Sequence, residues 1–229
     1  MKAKQALAVK NNVAWCEIMS RLHGCESRVE NNLWGLNKKA PIYYPDVITL
    51  SNEVLTNELL NFIGDTQVEY IKDSYASLQL EEFEVLFEAN WIYHELDGKL
   101  SSASVSYRKI HSKEELLSWN IASGLEGILL PNILSHPDVS IYANEGEVVT
   151  DGFIVNCSGE TIGVSNVFST EDNSDFIWTD IIAVINKNHN GKHIVGYESD
   201  EPFVAAVEAG WQSTGNLKVW RLKSESGKN

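Results

Sequence analysis

The chain has 229 residues, of which 43% are hydrophobic and 22% are charged, values that are ordinary for a globular protein able to bury a core without disulfides. Lys and Arg number 18 against 32 Asp and Glu, so the formal net charge is −14. This acidic excess argues against nucleic acid and against an anionic membrane surface as partners. The length fits one large domain or two small ones.

The sequence predicts a soluble chain with reduced thiols. No run of 18 apolar residues occurs, and Asn11 and Glu17 interrupt any apolar core of a signal peptide. The cysteines Cys16, Cys25 and Cys157 are odd in number and have no CxxC spacing, which is typical of neither a disulfide framework nor a structural metal site. We therefore expect a cytoplasmic protein without a bound metal.

Apolar spacing and turn residues predict the elements of the first hundred residues. They are a helix over 5–22, a strand after Pro45, a short helix capped by Ser51, and strands over 68–78 and 83–93. The turn signal Asp97-Gly98 places the best boundary between two halves at 97–103. We therefore predict an N-terminal α/β domain over 1–100 and a second domain over 101–229.

The second half alternates between strands and helices. The predicted elements are a strand over 105–110, a helix with the capping box Ser112–Glu115, an irregular segment over 124–137, strands over 139–143, 148–156 and 161–168, a helix over 176–187, a strand over 193–197, a helix over 201–209 and a strand over 217–222. Strands 161–168 and 193–197 are joined by a helix, which predicts that they run parallel. The fold class is α/β (α+β), with a mixed, largely antiparallel sheet flanked by helices.

Two local phrases in the C-terminal third resemble a known family. The first is the strand Gly163-Val164-Ser165-Asn166-Val167-Phe168, and the second is Val204-Ala205-Ala206-Val207-Glu208-Ala209-Gly210-Trp211, a helix, a glycine and an aromatic residue before the last strand. With the element order, they resemble the GCN5-related N-acetyltransferase (GNAT) superfamily, most strongly over 147–222. Residues 1–96 lie outside the resemblance. The predicted strands 68–78 and 83–93 have a similar strand–turn–strand order, which is compatible with a degenerate second copy of the same domain.

The resemblance implies an acyl-CoA-dependent N-acyltransferase. Acetyl-CoA or another acyl-CoA is the implied co-substrate, and a small-molecule amine or a protein amine is the acceptor. The family holds pantetheine along its fourth strand and the pyrophosphate at the next helix N-terminus. The implied cofactor-binding residues are Val164, Ser165, Asn166, Val167, Phe168, Ser169, Asn173 and Ser174. The candidate catalytic residues are Glu147, before the hairpin, and Tyr197, at the end of the fifth strand.

The sequence departs from the family pattern at two places. The segment 169–175, where the pyrophosphate loop is expected, has no glycine or cation and carries three carboxylates, and like charges beside a diphosphate weaken its binding. Ala206 stands where the family has a tyrosine that protonates the leaving thiolate. A catalytically inactive GNAT-fold binding or regulatory protein is therefore the alternative hypothesis.

Three further residues carry chemistry in principle. Cys157 lies at the tip of the predicted hairpin, but the sequence places no histidine beside it, so it is not a predicted nucleophile. His189 and His193 have the i,i+4 spacing of metal ligands, but Gly191 lies between them, which predicts two exposed loop histidines instead.

Overall fold

The computed structural model describes residues 2–96, 103, 106–170 and 174–224. The helices in these ranges are α1 (Lys2–Leu22), α2 (Thr56–Ile63), α3 (Lys113–Ser123), a 3-10 helix (Pro131–Ser135), α4 (Ser174–Asn188) and α5 (Asp200–Glu208). The strands are β1 (Ser27–Glu30), β2 (Leu33–Leu36), β3 (Val47–Thr49), β4 (Tyr70–Asp73), β5 (Phe83–Glu95), β6 (Tyr107–Lys109), β7 (Val139–Asn144), β8 (Asp151–Ser158), β9 (Thr161–Ser169), β10 (His193–Glu198) and β11 (Gln212–Leu222).

The described strands follow the order β1-β2-β3-β4-β11-β5-β10-β9-β8-β7-β6 in the sheet. Two pairs, β3–β4 and β9–β10, are parallel, and each is joined by a helix. The pairs β1–β2, β2–β3, β4–β11, β6–β7, β7–β8 and β8–β9 are antiparallel. The predicted mixed, largely antiparallel sheet flanked by helices is therefore confirmed.

The chain divides into two compact units, each made of two segments. Unit 1 is Met1–Asn12 with Trp91–Thr214, and unit 2 is Val13–Asn90 with Gly215–Asn229. The prediction of domains over 1–100 and 101–229 follows the chain in order, whereas each of these units combines two segments that are distant in sequence. The predicted boundary over 97–103 lies almost entirely outside the described residues.

The core of unit 1 lies between α4, α5 and the sheet. The rings of Trp178 and Trp211 meet edge to face at 5.4 Å, and the indole N–H of Trp211 donates to the Trp178 carbonyl at 3.3 Å. Phe153 and Ile194 are fully buried beside them. Burying each such side chain contributes roughly 1.5–3 kcal/mol, so this contact fixes α4 and α5 on the sheet.

A buried polar cluster joins α1 to the β8–β9 hairpin within unit 1. The Asn11 amide nitrogen donates to Thr161 Oγ1 at 3.2 Å, and the Asn156 amide nitrogen donates to Asn11 Oδ1 at 3.0 Å. Gly163 lies against both amides, since a Cβ added there would stand 1.9 Å from Asn11 Oδ1 and 2.3 Å from Asn156 Oδ1. Only glycine fits at this position without displacing the cluster.

In unit 2, Asp46 organises the backbone that leads into β3 and β4. Its buried carboxylate accepts hydrogen bonds from the backbone N–H groups of Ala40, Glu69 and Tyr70 at 2.8, 2.8 and 2.9 Å. These bonds satisfy the buried charge and fix the starts of two strands that are parallel neighbours.

The structure corrects one local prediction, adds two strands that were not predicted and confirms one helix cap. The predicted cap Ser51 does not begin α2; its hydroxyl accepts from the Glu53 N–H at 3.1 Å, and the helix starts after Leu55. Strands β1 and β2 were not predicted, because each has four residues and β2 is buried throughout, so neither alternates. The predicted capping box of α3 is confirmed, with mutual hydrogen bonds between Ser112 and Glu115.

Candidate functional site

The parallel strands β9 and β10 pair at one end and separate at the other. Their paired residues run from Thr161 with His193 to Gly163 with Val195. Gly196 allows the last close approach, because a Cβ there would lie 2.9 Å from the Val164 carbonyl oxygen. Beyond these pairs no further β9–β10 register occurs in the described strands, although both continue. The predicted parallel pair that opens at its C-terminal end is therefore present.

A β-bulge lies on β9 beside this opening. The register between β8 and β9 shifts between Gly152 and Ile154, so one residue of β8 faces two of β9, Asn166 and Val167. Asn166 has φ of 52°, a conformation that asparagine tolerates better than most residues. A bulge leaves an extra residue outside the ladder, so the regular pairing of β9 with β8 is interrupted at this point.

Ser165 precedes the bulge and carries an unsatisfied hydroxyl. Its Oγ is buried and has no hydrogen-bond partner among the described residues. An unpaired buried hydroxyl costs roughly 1–3 kcal/mol, and the partner of such a group is often a bound water or a ligand. A ligand lying along β9 would supply the missing partner.

This explanation predicts that Ser165→Ala leaves the free energy of unfolding unchanged or raises it by about 1 kcal/mol, because an unsatisfied polar group is removed. Thr161→Val, on the same strand, is the comparison: Thr161 Oγ1 donates to the Ser158 carbonyl at 2.7 Å and accepts from the Asn11 amide at 3.2 Å, so the loss of both bonds should cost about 1–3 kcal/mol. Urea unfolding of both variants measures the difference. Equal destabilisation by the two would contradict the assignment.

Glu198 is the ionisable group with the most unusual environment at the opening. It ends β10, past the last paired residue. The side chain of Glu198 is partly buried. Desolvation raises the pKa of Glu198 to about 8. A carboxyl group near neutrality at physiological pH is typical of general acid–base residues.

Residues 164–169 all lie in β9. Val164 is buried in the core of unit 1, and Val167 packs against that core. Phe168 meets the ring of Trp119 edge to face at 5.1 Å. Ser169 Oγ donates to Asp151 Oδ1 at 2.5 Å. The side chains of 164–169 are thus mostly engaged with protein, so the backbone is what β9 offers to a ligand.

The other candidates have different surroundings. Glu147 is exposed in the turn between β7 and β8. Tyr197 is half-buried on β10, with its ring edge to face against Trp91 at 5.5 Å. Ser174 is the first residue of α4, and Asn173 lies outside the described residues, as do Glu171 and Asp172 of the acidic segment 169–175. Glu147 and Tyr197 remain candidates by position alone.

Ala206 offers no functional group at the position of the family's tyrosine. It lies in α5 and is 0% exposed, packed in the core of unit 1. The small side chain lets the helix approach the sheet closely.

The parallel pair β3–β4 differs from β9–β10 at its C-terminal end, where a hydrogen bond within the protein joins the two strands. In unit 2 the Ser74 N–H donates to Thr49 Oγ1 at 2.8 Å, just past the ends of the two strands. The carboxylate of Asp73 accepts from the Leu78 N–H at 2.8 Å. These bonds satisfy the strand ends internally, which makes β9–β10 the parallel pair suited to a ligand.

Glu198 was missed at the sequence level for a definable reason. It precedes Ser199, Asp200 and Glu201, and such a polar run before a helix is typical of a solvated N-terminal turn. The available signal was its place at the end of a strand that the sequence predicts to open away from its neighbour.

Two general features bear on the class of site. No group of three or more His, Cys, Asp or Glu side chains is arranged for a metal ion in the part of the chain that the structure describes. Among the described helices, none combines the length and apolar character needed to cross a bilayer.

Comparison with known proteins gives structural matches alone: no family model matches the chain, and no curated protein does. A GCN5-related N-acetyltransferase from Kribbella flavida superposes with a TM-score of 0.60 at 12% identity, over 95% of this chain and 96% of that one. A protein described as a GNAT-family acetyltransferase, from Novosphingobium aromaticivorans, has a TM-score of 0.59 at 10% identity, with coverages of 95% and 96%. A functionally unknown conserved protein from Staphylococcus epidermidis has a TM-score of 0.59 at 12% identity, covering 87% of this chain and 95% of that one.

These matches show the fold. The chain has a GNAT fold, and the similarity extends over most of its length at low sequence identity.

Proposed function

We propose that this protein transfers an acyl group from acyl-CoA to an amine, with the opening between β9 and β10 as the active site. The proposal rests on the end of the β9–β10 pairing at Gly163 and Val195, together with Glu198 at the end of β10, where desolvation raises the pKa of the carboxyl group to about 8. The fold supports the acyltransferase class, and acetyl-CoA is the acyl donor we propose. The excess of acidic residues favours a cationic amine as acceptor.

The residues of β9 fit a pantetheine chain. The backbone of 164–168 would pair with its amides at the bulge, and Ser165 Oγ would gain a partner. When bound, acyl-CoA supplies an activated thioester. The backbone N–H groups beside Asn166 would stabilise negative charge on a carbonyl oxygen, as preorganised donors do in an oxyanion hole.

Glu198 would accept the proton of the attacking amine. A base is most effective when its pKa lies near the working pH, and a pKa of about 8 meets that condition. Above this pH the residue is a carboxylate able to take a proton, and below it the residue is already protonated. Activity should therefore rise as the pH increases through about 8.

A second candidate is a GNAT-fold protein that binds acyl-CoA without turnover. Ala206 favours it, since this buried methyl group cannot protonate a leaving thiolate. Tyr197, which precedes Glu198 on β10, is the residue that we propose as the acid in the enzymatic alternative.

The expected result of a binding test is a higher unfolding temperature with acetyl-CoA, CoA or a longer acyl-CoA. Ligand at roughly 100 times Kd stabilises the native state by about 2.7 kcal/mol. Because the acidic segment 169–175 disfavours phosphates, S-acetylpantetheine should retain more of the binding than adenosine diphosphate does. If neither acyl-CoA nor acetylpantetheine raises the unfolding temperature, acyl-CoA is refuted as the ligand.

Turnover then separates the two candidates. Free thiol released from acetyl-CoA, followed with a panel of small mono- and diamines between pH 7 and 9.5, measures transfer. Release that depends on the amine and increases through pH 8 supports the enzyme. Binding without amine-dependent release favours the non-catalytic protein.

A further inference from the structure

Cys157, His189 and Tyr142 form a contiguous chain of side chains within unit 1. Cys157 lies near the end of β8, His189 directly follows α4, and Tyr142 lies in β7. The Cys157 Sγ is 3.6 Å from His189 Nδ1, and His189 Nε2 is 2.9 Å from the Tyr142 hydroxyl. The three side chains therefore have the spatial order of a nucleophile, a base and a third group that orients the base.

The structure corrects the expectation of exposed loop histidines. His189 is half-buried against Cys157 and Tyr142, and His193 lies in β10 with its Nδ1 2.8 Å from the Tyr93 hydroxyl. Local spacing could not reveal these partners, because each tyrosine comes from a distant strand.

Burial keeps every member of the chain neutral. It lowers the pKa of His189, with Lys109 acting in the same direction. Burial and then Asp138 raise the pKa of the Cys157 thiol, which Lys109 opposes. Burial also raises the pKa of Tyr142 to about 12. At neutral pH the imidazole therefore has a free lone pair, and the thiol has a proton to give.

This cluster is separate from the proposed acyl-transfer site. Cys157 pairs with Ile162, at the closed end of the β8–β9 hairpin. The bulge at Asn166 lies four residues further along β9, which is about 13 Å of extended strand. The thiol is half-buried and therefore reachable by small molecules, whereas Cys16 and Cys25 are only 1% and 5% exposed.

We propose that Cys157 is a covalent modification site at which His189 acts as general base, and that its reactants are small neutral disulfides. The net charge of −14 disfavours anionic disulfides. In this proposal the imidazole hydrogen of His189 is assigned to Nε2, which donates to the Tyr142 oxygen, so that the lone pair of Nδ1 faces the thiol.

The reaction is thiol–disulfide exchange, and it balances without an added oxidant. The thiol proton passes from Sγ to His189 Nδ1 as the sulfur attacks one sulfur of the disulfide. A bond forms between Cys157 Sγ and that sulfur, and the original S–S bond breaks. The leaving thiolate takes the proton from the imidazolium, which gives a mixed disulfide on Cys157 and one small thiol.

The test uses dithiodipyridine on the folded full chain, with release of thiopyridone giving the rate and peptide mass mapping giving the site. Cys157 should react first. Its rate should be nearly independent of pH between about 6.5 and 8, because His189 is a free base in this range. The His189→Gln variant should react about 10²-fold more slowly than the parent protein. The rate of the variant should also depend on pH, increasing about tenfold per pH unit as for an unassisted thiol.

His193→Gln is the matched control, because it removes another half-buried histidine paired with a tyrosine and should leave the Cys157 rate unchanged. An unchanged rate in His189→Gln overturns the proposal. If that variant does not fold, the pH profile of the unmodified protein decides: a steady tenfold increase per pH unit without a plateau overturns it, and a plateau supports it.

Discussion

Glu198→Gln is expected to lower the rate of amine acylation at pH 8–9 by about 10²- to 10⁴-fold, the contribution typical of a general base. Glutamine keeps the size of the side chain but cannot take a proton. The affinity for acyl-CoA should change little, because β9 supplies the proposed contacts. The acyl-transfer rate and the affinity for acyl-CoA, measured on the same preparation, distinguish the loss of the general base from the loss of the binding site.

The same variant should be more stable than the parent protein at alkaline pH. The folded-state pKa of Glu198 is about 8, against 4.5 for an ordinary glutamate, so the folded state favours the neutral form. The stability that this preference contributes is complete below pH 4.5 and is lost as the pH increases through about 8. At about 1.4 kcal/mol per pH unit, the loss has an upper limit of ~5 kcal/mol, and water that reaches the partly buried carboxylate reduces it.

Urea unfolding at pH 5 and pH 9 measures this difference. Glu198→Gln should match the parent at pH 5 and exceed it at pH 9. Glu201→Gln, an exposed position in the first turn of α5, is the control and should change stability by at most about 0.5 kcal/mol at either pH. A Glu198→Gln protein less stable than the parent at pH 9 would show that the carboxylate is favourably paired.

Gly163→Ala is expected to destabilise the protein by about 3–5 kcal/mol. The new methyl group would lie 1.9 Å from Asn11 Oδ1 and 2.3 Å from Asn156 Oδ1, so at least one amide must leave the cluster. The cost combines overpacking with buried amide groups that lose their partners. Chemical denaturation measures it, and loss of soluble protein at 37 °C would be the extreme form of the same result.

Gly124→Ala is the comparison that isolates backbone strain. Gly124 ends α3 with φ of 72°, and nothing lies within 4 Å of the point that a Cβ would occupy there, so alanine should cost only about 1–2 kcal/mol. In addition, Asn11→Ala combined with Gly163→Ala should cost less than the sum of the single changes, because the two groups compete for one space. If the losses in the free energy of unfolding of the two single variants add up in the double variant, the strain does not arise from the contact between Asn11 and the new methyl group.

The sequence predicts the C-terminal elements well because each one is regular over enough residues. The hairpin β8–β9, the helix α4 and the parallel strand β10 all follow from periodicity and from the length of the crossover. Short or uniformly buried strands such as β2 have no period to detect. The composition of the two units was also beyond local patterns, since residues 215–222 pair with a strand in the N-terminal half.

The site was only partly predictable for a related reason. The strand 164–168 could be identified by its resemblance, since its contribution is backbone and tolerates substitution. Glu198 owes its character to desolvation, and Cys157 owes its neighbour to the place where α4 ends. Both properties arise from packing between distant segments, which residue spacing does not record.

Pairing between distant segments has a consequence for how the chain acquires its structure during synthesis. Asn11 and Asn156, whose amides bond to each other, are 145 residues apart in sequence, and Lys218 of β11 pairs with Asp73 of β4. Neither unit can complete its hydrogen bonding until most of the chain has left the ribosome. We expect folding to be slow, with one edge of β4 unpaired until β11 has been synthesised.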